Sequence, residues 1–139
     1  MPIDYFGLTI PFAEHCGVEP LEQRDGVTRY RLVMDQRHEN SLGVAHGGLL
    51  LTLLDMALGA AARSAVDPGW AVMTVDMQAA FLAPGEGTLE AMGRVTKAGR
   101  SLVFAEGEVR DAAGDLVARA TGLFRAMPKK RKGRAGGDA

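Results

Sequence analysis

Residues 46–65 read HGGLLLTLLDMALGAAARSA, and this stretch decides the fold class of the chain. Alanine and leucine, both good helix formers, dominate it, and its apolar positions recur at helical spacing. The positions that share this apolar face are Leu49, Leu50, Leu53, Leu54, Ala57, Leu58 and Ala61. The breaker cluster Asp67-Pro68-Gly69 follows it. The spacing therefore predicts one buried helix from His46 to about Ala65.

Short strand candidates lie on both sides of this helix. Residues 18–24 and 27–34 flank Asp25-Gly26, a strong hairpin turn signal. After the helix, residues 71–81, 88–97, 100–110 and 116–125 form four more candidates, separated by glycine, proline and aspartate. Alternation puts Val117 on the outer face of the last strand and many small residues on the inner faces. The inner positions of two strands are Leu89, Ala91, Gly93 and Val95, and Leu116, Ala118, Ala120, Gly122 and Phe124.

The predicted order β-β-α-β-β-β-β indicates an α+β fold. The short connections in the second half predict antiparallel neighbours. A single apolar helix must be buried by this sheet, which gives a curved antiparallel β-sheet wrapped around one central α-helix. One helix covers only part of a sheet face and leaves the sheet edges open, so the chain is expected to self-associate.

The composition is that of one globular domain. Of 139 residues, 47% are hydrophobic and 24% charged, and we place the domain at 1–127 and a basic tail at 128–139. The tail reads as a solvated end, with weak attraction to a polyanionic ligand or partner as the alternative. A net charge of −1 favours no nucleic-acid or membrane partner. With no secretory signal or membrane-spanning run, and a single cysteine, Cys16, a cytoplasmic location is expected.

Asp55 is the first candidate for chemistry. It lies in the middle of the apolar helix, where an unpaired carboxylate is costly. A satisfied structural carboxylate remains an alternative, but the context favours a functional group.

The beginning of the helix is the second candidate. His46-Gly47-Gly48 places two residues without side chains where free backbone N–H groups emerge. A helix N-terminus also carries a positive dipole end, so this segment fits an oxyanion-type site. On their own, His46 could be a polar loop residue and Asn40 and Gly43 merely turn residues.

The two candidates cannot meet within one chain. Gly47 and Asp55 are eight residues apart, which is roughly 12 Å along a helix. An aspartate side chain does not bridge that distance. If both serve one reaction, Asp55 comes from another copy of the chain, and two-fold symmetry then gives two equivalent sites.

The pattern Asn40-x-x-Gly43-x-x-His46-Gly47-Gly48, followed by Leu54-Asp55, resembles the signature of hotdog-fold thioesterases of the phenylacetate-pathway type. The resemblance covers residues 18–125, and residues 74–77 and 84–85 are similar to that family as well. It implies the hotdog fold and hydrolysis of acyl-CoA thioesters. It implies no metal and no redox cofactor. Coenzyme A is part of the substrate and does not count as a cofactor.

The resemblance also implies roles for individual residues. Asp55 would be the general base for water or the nucleophile toward the thioester carbon, and the Gly47 N–H would polarise the carbonyl. His46 would bind near the carbonyl or sulfur, and Asn40 would position the thioester or water. Thr74 would orient the water, although it could equally be a packing residue. Alternation gives Thr74 the parity of Asp76 and Gln78, on the more polar face of its strand.

Several basic residues are candidates for binding the phosphates of coenzyme A. Lys97 and Arg100 stand near a predicted turn, and Arg63 stands near the helix end. Each could instead be a solvated charge. Gly48 completes the set of substrate-binding candidates, because its backbone lies at the helix entry.

Two other functions remain open at this point. One is a hydratase or dehydratase of the same fold acting on acyl thioesters, and the other is a sensor that binds acyl-CoA without turnover. A homo-oligomer is expected in every case, either a dimer or a dimer of dimers, and the family often forms homotetramers.

Overall fold

The computed structural model describes residues 2–129. In chain order the elements are α1 (Pro11–Cys16), β1 (Glu19–Arg24), β2 (Val27–Val33), a 3-10 turn (Gln36–His38), α2 (Gly47–Ser64), β3 (Trp70–Phe81), β4 (Thr88–Ala98), β5 (Leu102–Asp111) and β6 (Leu116–Pro128). The predicted order of strands and long helix is confirmed. Helix α1 was not predicted, although this helix begins with a proline in its first turn and ends at Gly17 with a φ of 79°.

The six strands form one antiparallel sheet in the order β1-β2-β4-β5-β6-β3. Short connections predicted that consecutive strands pair, and this is wrong for β3 and β4. Strand β3 pairs with β6 instead, because the chain after β3 crosses the beginning of β6, where Leu82 N–H donates to the Val117 carbonyl at 2.8 Å. The crossing leaves β3 at an edge of the sheet.

Helix α2 lies on the inner face of this sheet, and its apolar residues form the centre of the core, as predicted. Glycines of two central strands let it approach closely. A Cβ atom built at Gly93 would lie 2.6 Å from the backbone carbonyl carbon of Ala57. Thr28 of β2 also reaches the helix and donates to the Ala57 carbonyl at 2.5 Å. The predicted sheet wrapped around one helix is therefore confirmed.

A β-bulge in β3 changes the face on which Thr74 lies. Thr74 pairs with Phe124, which is buried, whereas Asp76 pairs with Leu123 on the outer face. The predicted parity of Thr74 with Asp76 on one polar face is therefore wrong. Val75 is the extra residue, and one extra residue reverses the alternation along the strand. Thr74 consequently lies on the helix side of the sheet.

The outer position predicted for Val117 is also wrong, since its side chain is fully buried. The segment that follows β3 covers it, and a Cβ at Gly85 would lie 3.2 Å from the Val117 side chain. At the other end of β6 the strand runs three residues beyond the predicted Arg125. Lys129 N–H then donates to the Gly69 carbonyl at 3.2 Å.

The predicted basic tail, 128–139, lies from residue 130 onward outside the described residues. Within residues 2–129, neither of the α-helices is long and apolar enough to cross a membrane.

Candidate active site

The Asp55 carboxylate is held by Thr74. The Thr74 hydroxyl donates to Asp55 Oδ1 at 2.6 Å, which is a short, charge-assisted hydrogen bond. Asp55 is half-buried on α2 and Thr74 is exposed on β3. The bulge at Val75 makes this contact possible, because it turns Thr74 toward the helix. Since the hydroxyl proton is directed at Asp55, the Thr74 oxygen keeps lone pairs that can accept from a water molecule.

The beginning of α2 presents one free donor. His46 is the N-cap residue, and its Nδ1 accepts from Gly48 N–H at 2.8 Å. The Gly48 N–H is therefore already engaged, and the remaining His46 ring nitrogen carries the proton of the neutral ring. Among residues 2–129, Gly47 N–H has no hydrogen-bond acceptor. That donor stands at the positive end of the longest helix.

Asn40 shapes the loop that leads into the helix. Its side-chain oxygen accepts from Leu42 N–H at 2.8 Å and from Val44 N–H at 3.2 Å. Gly43 stands between them with a φ of 78°, a left-handed conformation that favours glycine. The spacing Asn40-x-x-Gly43 is thereby explained as a turn. The Asn40 amide nitrogen makes no hydrogen bond within the described part of the chain.

The structure does not bring Asp55 and Gly47 together. Asp55 lies beside Thr74 in the middle of β3, whereas Gly47 lies beside Phe81 at the end of that strand, with 4.0 Å from a built Cβ to the ring. Helix α2 and β3 thus run in opposite directions along each other. Two helical turns separate the carboxylate from the free donor.

A cavity of about 410 Å³ opens next to Asp55 and Thr74. This volume is typical of a small-molecule site. It runs along the second half of α2 and is covered by the N-terminal segment and the beginning of β3. Its lining comprises Tyr5, Gly7, Leu8, Ile10, Tyr30, Asp55, Met56, Gly59, Ala60, Arg63, Gly69, Trp70, Ala71, Val72, Thr74, Phe124 and Lys129.

A larger depression, of about 660 Å³, lies on the outer face of the sheet. Its lining includes Arg94, Glu106, Glu108 and Arg119. Because none of the sequence-predicted site residues borders it, the smaller cavity is the better candidate.

The basic residues predicted to bind coenzyme A fall into two groups, according to whether they line this cavity. Arg63 lines the cavity beside Asp55, and so does Lys129, the first lysine of the predicted basic tail. Lys97 and Arg100 are exposed at the turn between β4 and β5, and neither lines this cavity. Within one protomer these two residues are separate from the Asp55 site.

Two tyrosines of the cavity were missed by sequence reasoning. Tyr30 faces inward from β2 and is 2% exposed, and Tyr5 is 1% exposed. Burial raises the pKa of the Tyr30 phenol well above its usual value, while the charge of Arg63 opposes the shift. The Tyr30 phenol therefore stays protonated at physiological pH, and its hydroxyl can donate a hydrogen bond. Tyr30 lies on the inner face of β2, and the packing of the N-terminal segment over it makes it a cavity residue.

Apolar side chains are exposed along the β3 edge. Met73, Val75 and Phe81 are 58%, 56% and 51% exposed, and Leu51, which stands between Gly47 and Asp55 on one helical stripe, is 37% exposed. An unpaired edge strand with exposed apolar residues is a surface that proteins normally cover.

For metal binding, residues 2–129 contain no group of three or more His, Cys, Asp or Glu side chains placed to hold an ion.

Comparisons with known proteins give the family. The family model described as "Thioesterase superfamily" matches residues 42–118. The chain is 38% identical over 104 residues to "Putative esterase PA0474" of Pseudomonas aeruginosa, which covers 73% of this chain and 75% of that protein.

Solved structures agree with this match. A thioesterase family protein from Silicibacter pomeroyi has a TM-score of 0.82 at 27% identity, covering 86% of this chain and 90% of that one. The protein smu.793 from Streptococcus mutans, solved bound to acetyl CoA, has a TM-score of 0.74 at 25% identity, covering 82% and 91%. The hotdog fold expected from the resemblance is confirmed.

Proposed function

This chain belongs to the thioesterase superfamily, and from that premise we propose that it hydrolyses an acyl-CoA thioester to a carboxylic acid and free coenzyme A. The observation that carries the proposal is the Asp55 carboxylate, fixed by Thr74 at the mouth of a 410 Å³ cavity. A structural neighbour bound to acetyl CoA supports coenzyme A as the carrier.

Asp55 activates the attack on the thioester. In one route it accepts a proton from water as the water oxygen bonds to the carbonyl carbon. The carbon–sulfur bond then breaks, and the proton goes to the departing thiolate. In the other route Asp55 itself attacks the carbon and the carbon–sulfur bond breaks, which gives a mixed anhydride and a thiolate. Water then opens the anhydride, restoring the Asp55 carboxylate and releasing the carboxylic acid, and the proton lost by the water goes to the thiolate. Thr74 fits the first route well, because its oxygen can hold the water beside the carboxylate that it orients.

The Gly47 N–H stabilises the developing oxyanion. It is a backbone donor without an acceptor among residues 2–129, and it stands at a helix N-terminus. The missing side chain of Gly47 leaves room for the thioester carbonyl, since Phe81 at 4.0 Å is the nearest contact of a built Cβ. His46, which is exposed, fixes this first turn through its hydrogen bond with Gly48.

Each reaction centre is shared by two copies of the chain. Two β3 edges paired antiparallel about Met77 and Gln78 would set Thr74 opposite Phe81 of the partner subunit. Because Asp55 lies beside Thr74 and Gly47 beside Phe81, this register brings the carboxylate of one copy to the free N–H of the other. The same pairing covers the exposed apolar edge. A dimer is the smallest assembly that completes the site, and two dimers can associate further.

Thiol release tests the reaction. Purified chain is supplied with aliphatic and aromatic acyl-CoA substrates, and free coenzyme A is measured. Asp55→Ala is expected to lower kcat by about a hundredfold or more, because the base or nucleophile is lost. Asp67→Ala, an exposed carboxylate just beyond the same helix, is the control and should keep wild-type turnover.

Unfolding curves show whether Asp55→Ala keeps its fold. Full turnover in a folded Asp55→Ala protein contradicts the assigned role. Double-bond formation or hydration in place of thiol release would identify a hydratase or dehydratase instead. Tight binding of acyl-CoA by the wild-type chain without any turnover would identify a sensor.

A further inference from the structure

The Tyr30 hydroxyl is a buried donor without a partner. Its side chain is 2% exposed, and among residues 2–129 the hydroxyl makes no hydrogen bond. The neighbouring Tyr5 differs, since its hydroxyl donates to the Val18 carbonyl at 2.7 Å. Buried hydroxyl groups in proteins nearly always have a partner. Because Tyr30 lines the cavity beside Asp55, the missing partner belongs to whatever fills that cavity.

Arg63 lies at the same end of the cavity. Its guanidinium is half-buried and donates to the Phe6 carbonyl at 2.6 Å. Within the described residues it forms no ion pair with a carboxylate. A guanidinium has five N–H donors, so several remain for a ligand. Tyr30 and Arg63 together make this end of the cavity rich in donors.

The reactive carboxylate and these donors stand at opposite ends. Asp55, Gly59 and Arg63 follow one another at i, i+4 and i+8 on α2, and all three line the cavity. Two helical turns span roughly 12 Å between the first and the last. Gly59 has no side chain, so the middle of this stripe leaves space for a ligand, and Met56 and Ala60 beside it are apolar. An acyl group that lies along the stripe therefore crosses an apolar middle and ends at Tyr30 and Arg63.

We propose that this enzyme selects acyl groups that carry an oxygen, as a hydroxyl or a carboxylate, at the end remote from the thioester, and that Tyr30 and Arg63 bind this oxygen. The inference rests on the proposed hydrolysis of acyl-CoA at Asp55. A plain alkyl or phenyl end would bury the Tyr30 hydroxyl without an acceptor. Sites built to bind a polar group reject analogues that lack it much more strongly than apolar pockets reject an added methylene.

Matched substrates of equal length test the selection. Hexanoyl-CoA, 6-hydroxyhexanoyl-CoA and adipoyl-CoA share six acyl carbons, and the corresponding eight-carbon set covers a longer reach. For at least one length, kcat/KM for an oxygen-bearing substrate is expected to exceed that of the plain one by about tenfold. The hydroxy and carboxy members distinguish the two forms of the oxygen. A wild-type preference for plain chains at both lengths overturns the proposal.

Tyr30→Phe is the decisive variant, since it removes the hydroxyl and keeps the ring. It should bring the ratio of kcat/KM for oxygen-bearing and plain substrates close to one, because only the oxygen-bearing substrate loses a hydrogen bond. Tyr5→Phe is the matched control, because it removes a phenol of the same cavity whose hydroxyl already has a partner inside the chain. An unchanged preference in Tyr30→Phe contradicts the assignment.

A binding measurement separates this inference from the proposed reaction. Calorimetric titration of Asp55→Ala with the same thioesters gives affinities that do not require turnover. If the wild-type chain releases no thiol from any substrate, the proposed function fails, and the affinity ratio measured by titration still decides whether the cavity selects oxygen-bearing acyl groups. Equal affinity for plain and oxygen-bearing thioesters overturns the inference in either case.

Discussion

Replacing Gly47 by proline removes a single backbone N–H and is compatible with the helix around it. Proline is favoured at the first position of a helix, where its N–H would have no intrahelical acceptor. The residue before a proline must be extended, and His46 already is, with φ −62° and ψ 140°. A built Cβ at Gly47 meets nothing closer than the Phe81 ring at 4.0 Å. We therefore expect Gly47→Pro to fold.

Turnover, in contrast, should fall sharply. If the Gly47 N–H stabilises the oxyanion, its loss lowers kcat by about 100- to 1,000-fold. Gly47→Ala is the control, since it adds the Cβ and keeps the N–H, and it should stay within a few-fold of wild type. The assay is thiol release at saturating acyl-CoA, and unfolding curves establish that both variants are folded. A folded Gly47→Pro protein with wild-type kcat refutes the oxyanion role.

The same variant tests the shared reaction centre. Gly47→Pro and Asp55→Ala chains, coexpressed with different affinity tags, form mixed dimers that can be purified through both tags. If each centre takes Asp55 from one copy and Gly47 from the other, a mixed dimer has one centre with both changes and one with neither. Such dimers should recover about half of the wild-type turnover per dimer. Mixed dimers that are as inactive as the Gly47→Pro and Asp55→Ala proteins alone would contradict the shared centre. That result would mean that Asp55 and Gly47 act within one chain, or that they do not act together.

Two further changes have outcomes that follow from single contacts. Thr74→Val removes the hydroxyl that donates to Asp55 at 2.6 Å and keeps the branched shape, so kcat should fall by about tenfold. Thr74→Ser keeps the hydroxyl and should keep most of the wild-type kcat. Equal turnover of the two variants would show that this hydrogen bond does not position Asp55. Gly93→Ala would place a Cβ 2.9 Å from Leu58 N and closer still to the Ala57 backbone, so denaturant unfolding should show that the free energy of unfolding falls by about 3 kcal/mol or more. Gly47→Ala is the matched substitution in open space. An unchanged unfolding midpoint would mean that α2 can move away from the sheet at little cost in free energy.

The candidate site was predictable where its residues are neighbours in sequence. His46, Gly47 and Gly48 stand at the beginning of α2, and Asn40 and Gly43 form the turn before it, because capping and turn formation depend on a few adjacent residues. The contact between Thr74 and Asp55 was not predictable. The bulge at Val75 that turns Thr74 inward arises from the pairing of β3 with β6, and alternation along β3 alone suggested the opposite face.

Sequence alone predicts the central helix, the strands, the antiparallel sheet around the helix and the separation of Asp55 from Gly47 along one helix. These follow from hydrophobic periodicity and helix geometry, which are local properties. The edge position of β3 depends on tertiary packing, and so does the placement of the N-terminal segment over α2, which encloses Tyr30 and Arg63 in a cavity. Such contacts join residues distant in the chain, and their free energy depends on the packing of the whole domain, which no short stretch of sequence contains.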